Sequence, residues 1–364
     1  MKFKCVLFFI FITLPVLSSF QAATSGYIDN VRRKSVLNDQ DKQIIDDFIR
    51  ESIDDLVNEN DFSNIARRRD AITSRKDSQQ VQYDNQFKES TLNYITKAFE
   101  KARNIKQEKN RAIIVTNLLI LINKLENVQL AILAKNKLDD KNAMVRYWAV
   151  SCIVNPQVIN QLNSGEASNP GLPKEITTKF ISIVSKSSPE TLSMMAGFAA
   201  GINIPEGQEL LLKIADQRIA DYSEWSVKQE YEDENILIAL ESVINKASNN
   251  SNIQAAAQRF AQLYSYVIQR YAKAGDFLSV RQKAQLKTVI IETESKCIRN
   301  MTGAQQDLKI ALEEKLMQKL IDEHDKLLGS NVSQGKLPAK YNFNYGQDEN
   351  GSTRNSPAIL SDPE

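Results

Sequence analysis

Apolar residues recur every three to four positions through most of the chain, which is the spacing of one buried helix face. The best example is the stretch from 252 to 273, whose apolar and aromatic positions are Ile253, Ala256, Ala257, Phe260, Tyr264, Val267, Ile268 and Tyr271. Neither glycine nor proline occurs from Tyr27 to Asn155, so nothing there forces a long helix to break. The pattern predicts an all-α protein.

Residues 112 to 122, AIIVTNLLILI, are apolar almost all round, as expected of a helix that is covered on several sides. Farther on, four prolines fall 16 or 17 residues apart, at Pro156, Pro173, Pro189 and Pro205. Proline is tolerated in the first turn of a helix, so this interval predicts one helix and one loop per step. Further helices are predicted at 174–186, 190–201, 206–221, 233–247, 252–273, 277–299 and 304–328.

Residues 126 to 153 predict a short helix, a polar turn and a second helix, with Asn142 placed to cap the second one. The turn and second helix resemble a HEAT repeat in five positions: Asp140, Asn142, Val145, Arg146 and Ala149. The resemblance implies a HEAT-like α-solenoid of stacked antiparallel helical hairpins. It also implies that Val145 packs in the core, while Asp140 and Arg146 hydrogen-bond between stacked repeats. Any capped amphipathic helix pair would give a similar pattern.

The first 23 residues have the pattern of a cleaved secretory signal. Lys2 and Lys4 precede an apolar run from Cys5 to Leu17, and small residues follow at Ala22 and Ala23. The run is short for a membrane span, although a retained anchor is the alternative. The interpretation predicts a secreted or periplasmic protein with no transmembrane segment after cleavage.

The remaining chain divides by composition. We expect an N-terminal helical cap over residues 24–76 and a HEAT-like helical repeat domain over residues 77–328. From Gly329 the sequence is rich in Ser, Asn, Gly and Pro and poor in apolar residues, which predicts a disordered tail over residues 329–364.

The overall charge gives no indication of nucleic-acid binding, because the chain has 46 basic and 45 acidic residues and a net charge of +1. The one concentrated basic patch contains Arg67, Arg68 and Arg69. It is a candidate site for anionic lipid headgroups or a polysaccharide. Three consecutive residues fan over more than half a helical turn, so pairing with nearby acids is the ordinary alternative.

Composition also restricts catalysis. The single histidine, His324, excludes sites that need two histidines, such as HExxH zinc hydrolases. A nucleophile pair of Cys297 and His324 is conceivable, but His324 lies in DEHD on what reads as a solvated helix face. The acidic run from Asp46 to Asp61 has helical spacing and no glycine, unlike a calcium loop. No catalytic residue, metal ligand or cofactor is therefore assigned.

After signal removal two cysteines remain, Cys152 and Cys297. Both fall on apolar helical stripes, where they either form a disulfide in an oxidising compartment or stay as buried thiols.

Aromatic residues concentrate in the polar stretch from 222 to 235, as Tyr222, Trp225 and Tyr231. They are candidate anchors for a partner, with core packing at two helix ends as the alternative. HEAT arrays are mostly protein-binding scaffolds, so the resemblance implies a non-enzymatic scaffold or adaptor whose partner is another protein. The alternatives are a hydrolase-type enzyme with carboxylates on the concave face, or the anionic lipid or polysaccharide module.

Overall fold

Every regular element that the structure describes is a helix. The computed structural model describes residues 26–59, 61–167, 169–246, 249–275, 277–303, 306–347 and 351–363. Within these ranges the one β pairing is an isolated bridge between Gln347 and Thr353. The prediction of an all-α protein is confirmed. The predicted signal segment, residues 1–23, lies outside the described residues.

The helices form two groups, one ending at Leu125 and the other beginning at Glu126. The first group contains α1 (Asp39–Asn58), α2 (Phe62–Thr73), α3 (Val81–Arg103) and α4 (Glu108–Leu125). A capping box between Asn38 and Asp41 begins α1, which packs against α2 and α3. Leu118, Leu119 and Leu121 of α4 are all buried, as its all-round apolar sequence predicts. Helices α3 and α4 pack within this first group.

The second group begins with six helices. They are α5 (Val128–Lys135), α6 (Ala143–Ile153), α7 (Pro156–Ser164), α8 (Leu172–Ile183), α9 (Pro189–Gly201) and α10 (Pro205–Ser223). Each of the four evenly spaced prolines lies in the first turn of a helix, from α7 to α10. Proline has no N–H to leave unpaired there and its fixed φ suits the first turn, so these four starts agree with the pattern to within two residues.

The rest of the second group surrounds one long helix. It contains α11 (Asp233–Lys246), α12 (Asn250–Lys273), α13 (Val280–Thr293), α14 (Arg299–Thr302), α15 (Asp307–Glu313), α16 (Met317–Leu328) and α17 (Lys336–Tyr341). A π-helical segment, Glu294–Ile298, links α13 to α14. Helix α12 packs against α10, α11, α13, α16 and α17.

The HEAT-like turn forms as a capped turn. Asn142 caps α6 by accepting the N–H groups of Met144 and Val145, and Val145 and Ala149 are buried. Arg146, however, donates to the carbonyls of Asp140 and Lys141 at 2.8 and 3.0 Å, inside its own turn. Asp140 Oδ1 likewise accepts the N–H of Asn142. The inter-repeat role expected of Asp140 and Arg146 is therefore replaced by local bonds that shape the turn.

The predicted disordered tail is wrong for residues 329–347 and 351–363. This segment contains α17, and Leu337, Phe343, Tyr345 and Leu360 are buried. Tyr345 donates to the carbonyl of Leu328 at 2.7 Å. Few apolar residues are present, but Leu337, Phe343, Tyr345 and Leu360 all pack against the rest of the protein, so average composition gives the wrong answer.

Cys152 and Cys297 are both buried thiols, and no disulfide joins them. Burial raises the pKa of Cys297 to about 12, so this thiol stays protonated at neutral pH. The two cysteines are therefore buried thiols in the structure, which is one of the two alternatives that the sequence left open. No helix in the described ranges combines the length and the apolar character that crossing a bilayer requires.

Candidate functional site

Helix α12 is the element around which the candidate site is built. Asn249 caps it by accepting the N–H of Ser251, and its stripe of Phe260, Tyr264 and Val267 is buried, as the sequence predicts. Polar side chains lie on another face, in what we call the polar row: Gln258, Gln262, Gln269 and Lys273. Sequence alone places this row in water. In the structure it holds the C-terminal part of the chain.

The polar row binds main-chain groups of an extended segment, residues 356–362, which we call the strap. The side chain of Gln262 accepts the N–H of Ala358 at 2.8 Å and donates to the carbonyl of the same residue at 3.4 Å. Gln269 accepts the N–H of Leu360 at 2.7 Å and donates to the carbonyl of Ala358 at 3.0 Å. Lys273 donates to the carbonyl of Leu360 at 2.6 Å. These bonds recognise backbone rather than side chains.

Side chains of the strap divide between the protein and solvent. Pro357 and Leu360 are buried, Leu360 with only 1% exposed, whereas Ile359 is 69% exposed. A cavity of about 260 Å³ lies where the strap passes between α12 and α16. Its walls include Ile268, Ala272, Ile321, His324, Pro357 and Ile359. The groove on α12 therefore combines main-chain hydrogen bonds with two apolar anchor positions.

A close backbone approach leads into the strap. Gly329, directly after α16, has φ +107°, a conformation that other residues rarely adopt. A Cβ atom at Gly329 would collide with the main-chain oxygen of Asn355. Glycine at this position is what lets the segment before the strap lie against the end of α16.

Trp225 closes the far end of the groove. Its indole N–H donates to the carbonyl of Ser361 at 3.0 Å, and its ring packs edge-on against Phe277. Trp225 has φ 54°, in the left-handed region, so the turn that carries it must be held by other contacts. The guanidinium of Arg270 lies 4.9 Å from its ring centroid.

Buried ion pairs hold that turn. Arg218 donates to both carboxylate oxygens of Asp233, at 2.7 and 2.9 Å, and to the carbonyl of Lys228 at 3.1 Å. Tyr222 donates to the same carboxylate at 2.8 Å. Burial, followed by the charge of Asp233, raises the pKa of Tyr222 well above its usual value, so the phenol stays a donor.

The three predicted aromatic anchors thus have three different environments. Trp225 is at the groove. Tyr222 is fully buried and serves the core, so it is not available to a partner. Tyr231 is 40% exposed. The prediction of an aromatic contact surface therefore reduces to Trp225 and Tyr231.

The three consecutive arginines do not point at one anion. Arg67 donates to Asn64 on its own helix, Arg68 pairs with Asp55 at 3.3 Å, and Arg69 donates to Asn117 on α4. Burial lowers the pKa of Arg69 from its usual value. Arg68 thus pairs with an acid, as in the ordinary alternative, whereas Arg67 and Arg69 donate to asparagine side chains, and the three arginines have three different partners.

His324 is buried rather than solvated, contrary to the sequence expectation. Its Nε2 lies 2.8 Å from Ser265 Oγ, and its Nδ1 lies 2.8 Å from Asp325 Oδ1. This order of bonds is the one that activates a serine nucleophile in hydrolases. Ser265, however, is completely buried inside α12 and also accepts a hydrogen bond from Gln269 at 2.8 Å. The three residues join α16 to α12 beneath the groove, and no substrate carbonyl can reach the hydroxyl in this conformation.

The proposed pair of Cys297 and His324 does not form, since the hydrogen-bonding partners of His324 are Ser265 and Asp325. Within the described ranges no three His, Cys, Asp or Glu side chains are grouped to hold a metal ion. No known protein family and no curated protein sequence matches the chain.

Proposed function

We propose that this chain is a non-enzymatic scaffold that binds another protein, and that the groove on α12 is its binding element. The observation that carries this proposal is the strap itself. Five of its main-chain groups are bonded by side chains of α12 and Trp225, namely the N–H and C=O of Ala358 and Leu360 and the C=O of Ser361. Binding an extended peptide through its main chain, with pockets for a few side chains, is a recurrent mode of protein recognition.

The arrangement of the helices supports a scaffold of stacked hairpins. Helix α10 packs against α8 and α12, and α9 packs against α11, so helices two apart in sequence are neighbours. This order is typical of repeat arrays, in which each hairpin contacts the next. We propose a HEAT-like α-solenoid on this ground, together with the turn around Asn142.

The N-terminal pattern supports export, and we propose that the scaffold works in the cell envelope or outside the cell. In such a compartment the partner is a protein of the same location. Its binding segment must be extended when bound, because the polar row bonds to both N–H and C=O groups of the strap.

The experiment uses the full chain with the strap released. Leu360→Asp places a charge at the buried leucine position. Ala358→Pro removes the N–H group that donates a hydrogen bond to Gln262. Ser361→Asp is the matched control, because it introduces the same charge one residue away on an exposed side chain and keeps the carbonyl that Trp225 bonds. The probe is a fluorescent peptide of residues 354–363, and its binding is followed by fluorescence polarisation.

We expect saturable binding to both release variants. We expect binding at least about tenfold weaker to the wild-type chain and the control, because a tethered strap competes at an effective concentration on the order of millimolar. Hydrogen exchange of residues 356–362 reports whether the strap has left. Release of the strap without binding of the peptide would overturn the proposal.

A further inference from the structure

We infer that the groove selects partner segments with a proline, a leucine three residues later and an acidic residue two residues after that, and that the strap is an intramolecular copy of this ligand. The inference rests on the proposed function. The inference adds to the proposed function the chemistry of the partner segment and the means by which the groove is kept closed.

The two apolar positions follow from burial. Pro357 and Leu360 are enclosed, while Ile359 between them is 69% exposed at the edge of the cavity. Main-chain bonds accept any residue with an N–H group, so they give affinity without choosing a sequence. Choice comes from the enclosed side chains. Proline, which has no N–H group, is compatible with position 357, whereas the residues at positions 358 and 360 must both donate.

The acidic position follows from charge at the end of the groove. Lys273 Nζ, already bonded to the carbonyl of Leu360, lies 3.1 Å from Asp362 Oδ1. Arg270, buried beside Trp225, is paired with Glu230 at 3.2 Å, so the attraction for an acidic residue is assigned to Lys273. Asp362 is 87% exposed at its side chain, so we expect its contribution to be smaller than that of Leu360.

The strap keeps the groove closed until a partner displaces it. It occupies the side-chain acceptors and donors of Gln262, Gln269 and Lys273 and fills the leucine position. A partner must therefore exceed the tethered strap in affinity or concentration. This makes the segment an autoinhibitory contact that discriminates between weak and strong partner segments.

The test compares peptides on the full-length Leu360→Asp and Ala358→Pro chains. The parent peptide spans residues 354–363, and single changes correspond to Pro357→Ala, Leu360→Ala and Asp362→Lys. A peptide with Ser361→Ala is the control, because this side chain is exposed and the carbonyl that Trp225 bonds is kept. Loss of the buried leucine side chain in the Leu360→Ala peptide should weaken binding about tenfold or more. We expect a change of less than about twofold for the Ser361→Ala peptide and a weakening of about threefold for the charge reversal. That threefold difference should disappear on a chain that also carries Lys273→Gln, which has no charge and keeps an N–H donor for the Leu360 carbonyl.

Each outcome decides a separate point. If the parent binds and the Leu360→Ala peptide binds within twofold of it, the inferred selection is wrong while the proposed function stands. If no peptide binds a chain whose strap exchanges freely, the proposed function fails and the inference with it. Light scattering on the release variants measures their oligomeric state and so tests whether a second copy of this chain binds in the groove. A dimer that the parent peptide dissociates would place a second copy of this chain in the groove and overturn the assignment to a different protein.

Discussion

The side-chain oxygen of Gln269 accepts the main-chain N–H of Leu360 at 2.7 Å. The amide nitrogen of the same side chain donates to Ser265 Oγ at 2.8 Å and to the carbonyl of Ala358 at 3.0 Å. Gln269 thus links the buried Ser265 and His324 pair under the groove to the strap that lies over it. No other side chain of the polar row joins the two layers.

Gln269→Leu keeps the size of this side chain and removes all three hydrogen bonds. An N–H group left without a partner costs about 1–3 kcal/mol, so the strap should open about tenfold more often. The measurement is hydrogen exchange at the amide of Ala358, which bonds to Gln262 and therefore reports release of the whole strap. Gln318→Leu, on exposed α16 surface, should leave that rate unchanged. Equal exchange in Gln269→Leu and wild type would contradict the role given to Gln269.

Gly329→Ala should displace the strap from its N-terminal end, next to Asn355. The new methyl group meets the main-chain oxygen of Asn355, and φ +107° is unfavourable for alanine, at a cost of about 1–3 kcal/mol. We expect faster exchange over residues 354–360 and lower stability. Gly197→Ala is the control, because its site lies inside α9 with no atom within 4 Å of the new methyl group. That change should be neutral or stabilising by up to about 1 kcal/mol. Equal behaviour of the two variants in chemical denaturation would rule out the close approach.

Sequence pattern was sufficient for most helices and insufficient for the groove, for physical reasons. Proline fixes a helix start locally, so the starts of α7 to α10 could be predicted. The break between α15 and α16 could not, because it depends on a left-handed Lys315, a residue that carries no turn signal. The polar row has the pattern of a solvated face. Its partners lie about 90 residues away along the chain, in a segment whose composition predicts disorder.

The Arg218 and Asp233 pair should be far more important to stability than a similar pair at the surface. Asp233→Ala removes both bonds from the fully buried Arg218 guanidinium to this carboxylate and leaves it the longer contact with Asp221 at 3.3 Å, at a cost of about 3 kcal/mol. Asp216→Ala removes an equally bidentate pair with Arg259 that is partly exposed, and should cost less than about 1 kcal/mol. Urea unfolding of both variants gives the comparison. Because this network holds the turn of Trp225, only Asp233→Ala should also shift the tryptophan fluorescence of the native state.

Glu294 should make the protein less stable as pH rises above its ordinary pKa of 4.5. Its carboxylate accepts the N–H groups of Leu308 and Lys309, both at 2.8 Å. Burial is the main cause that raises its pKa, with smaller contributions from the charges of Asp307 and Glu323. Between 4.5 and the raised value the folded state binds more protons than the unfolded chain, so the free energy of unfolding falls with increasing pH.

Glu294→Gln cannot titrate, so the difference in unfolding free energy between wild type and this variant isolates the carboxylate. We expect that difference to be flat below pH 4.5, to fall as pH rises through the folded pKa, and to be flat again above it. Urea unfolding at closely spaced pH values measures it, since other groups titrate alike in both proteins and cancel. A difference that rises with pH for Glu294→Gln would show that the two N–H bonds outweigh burial.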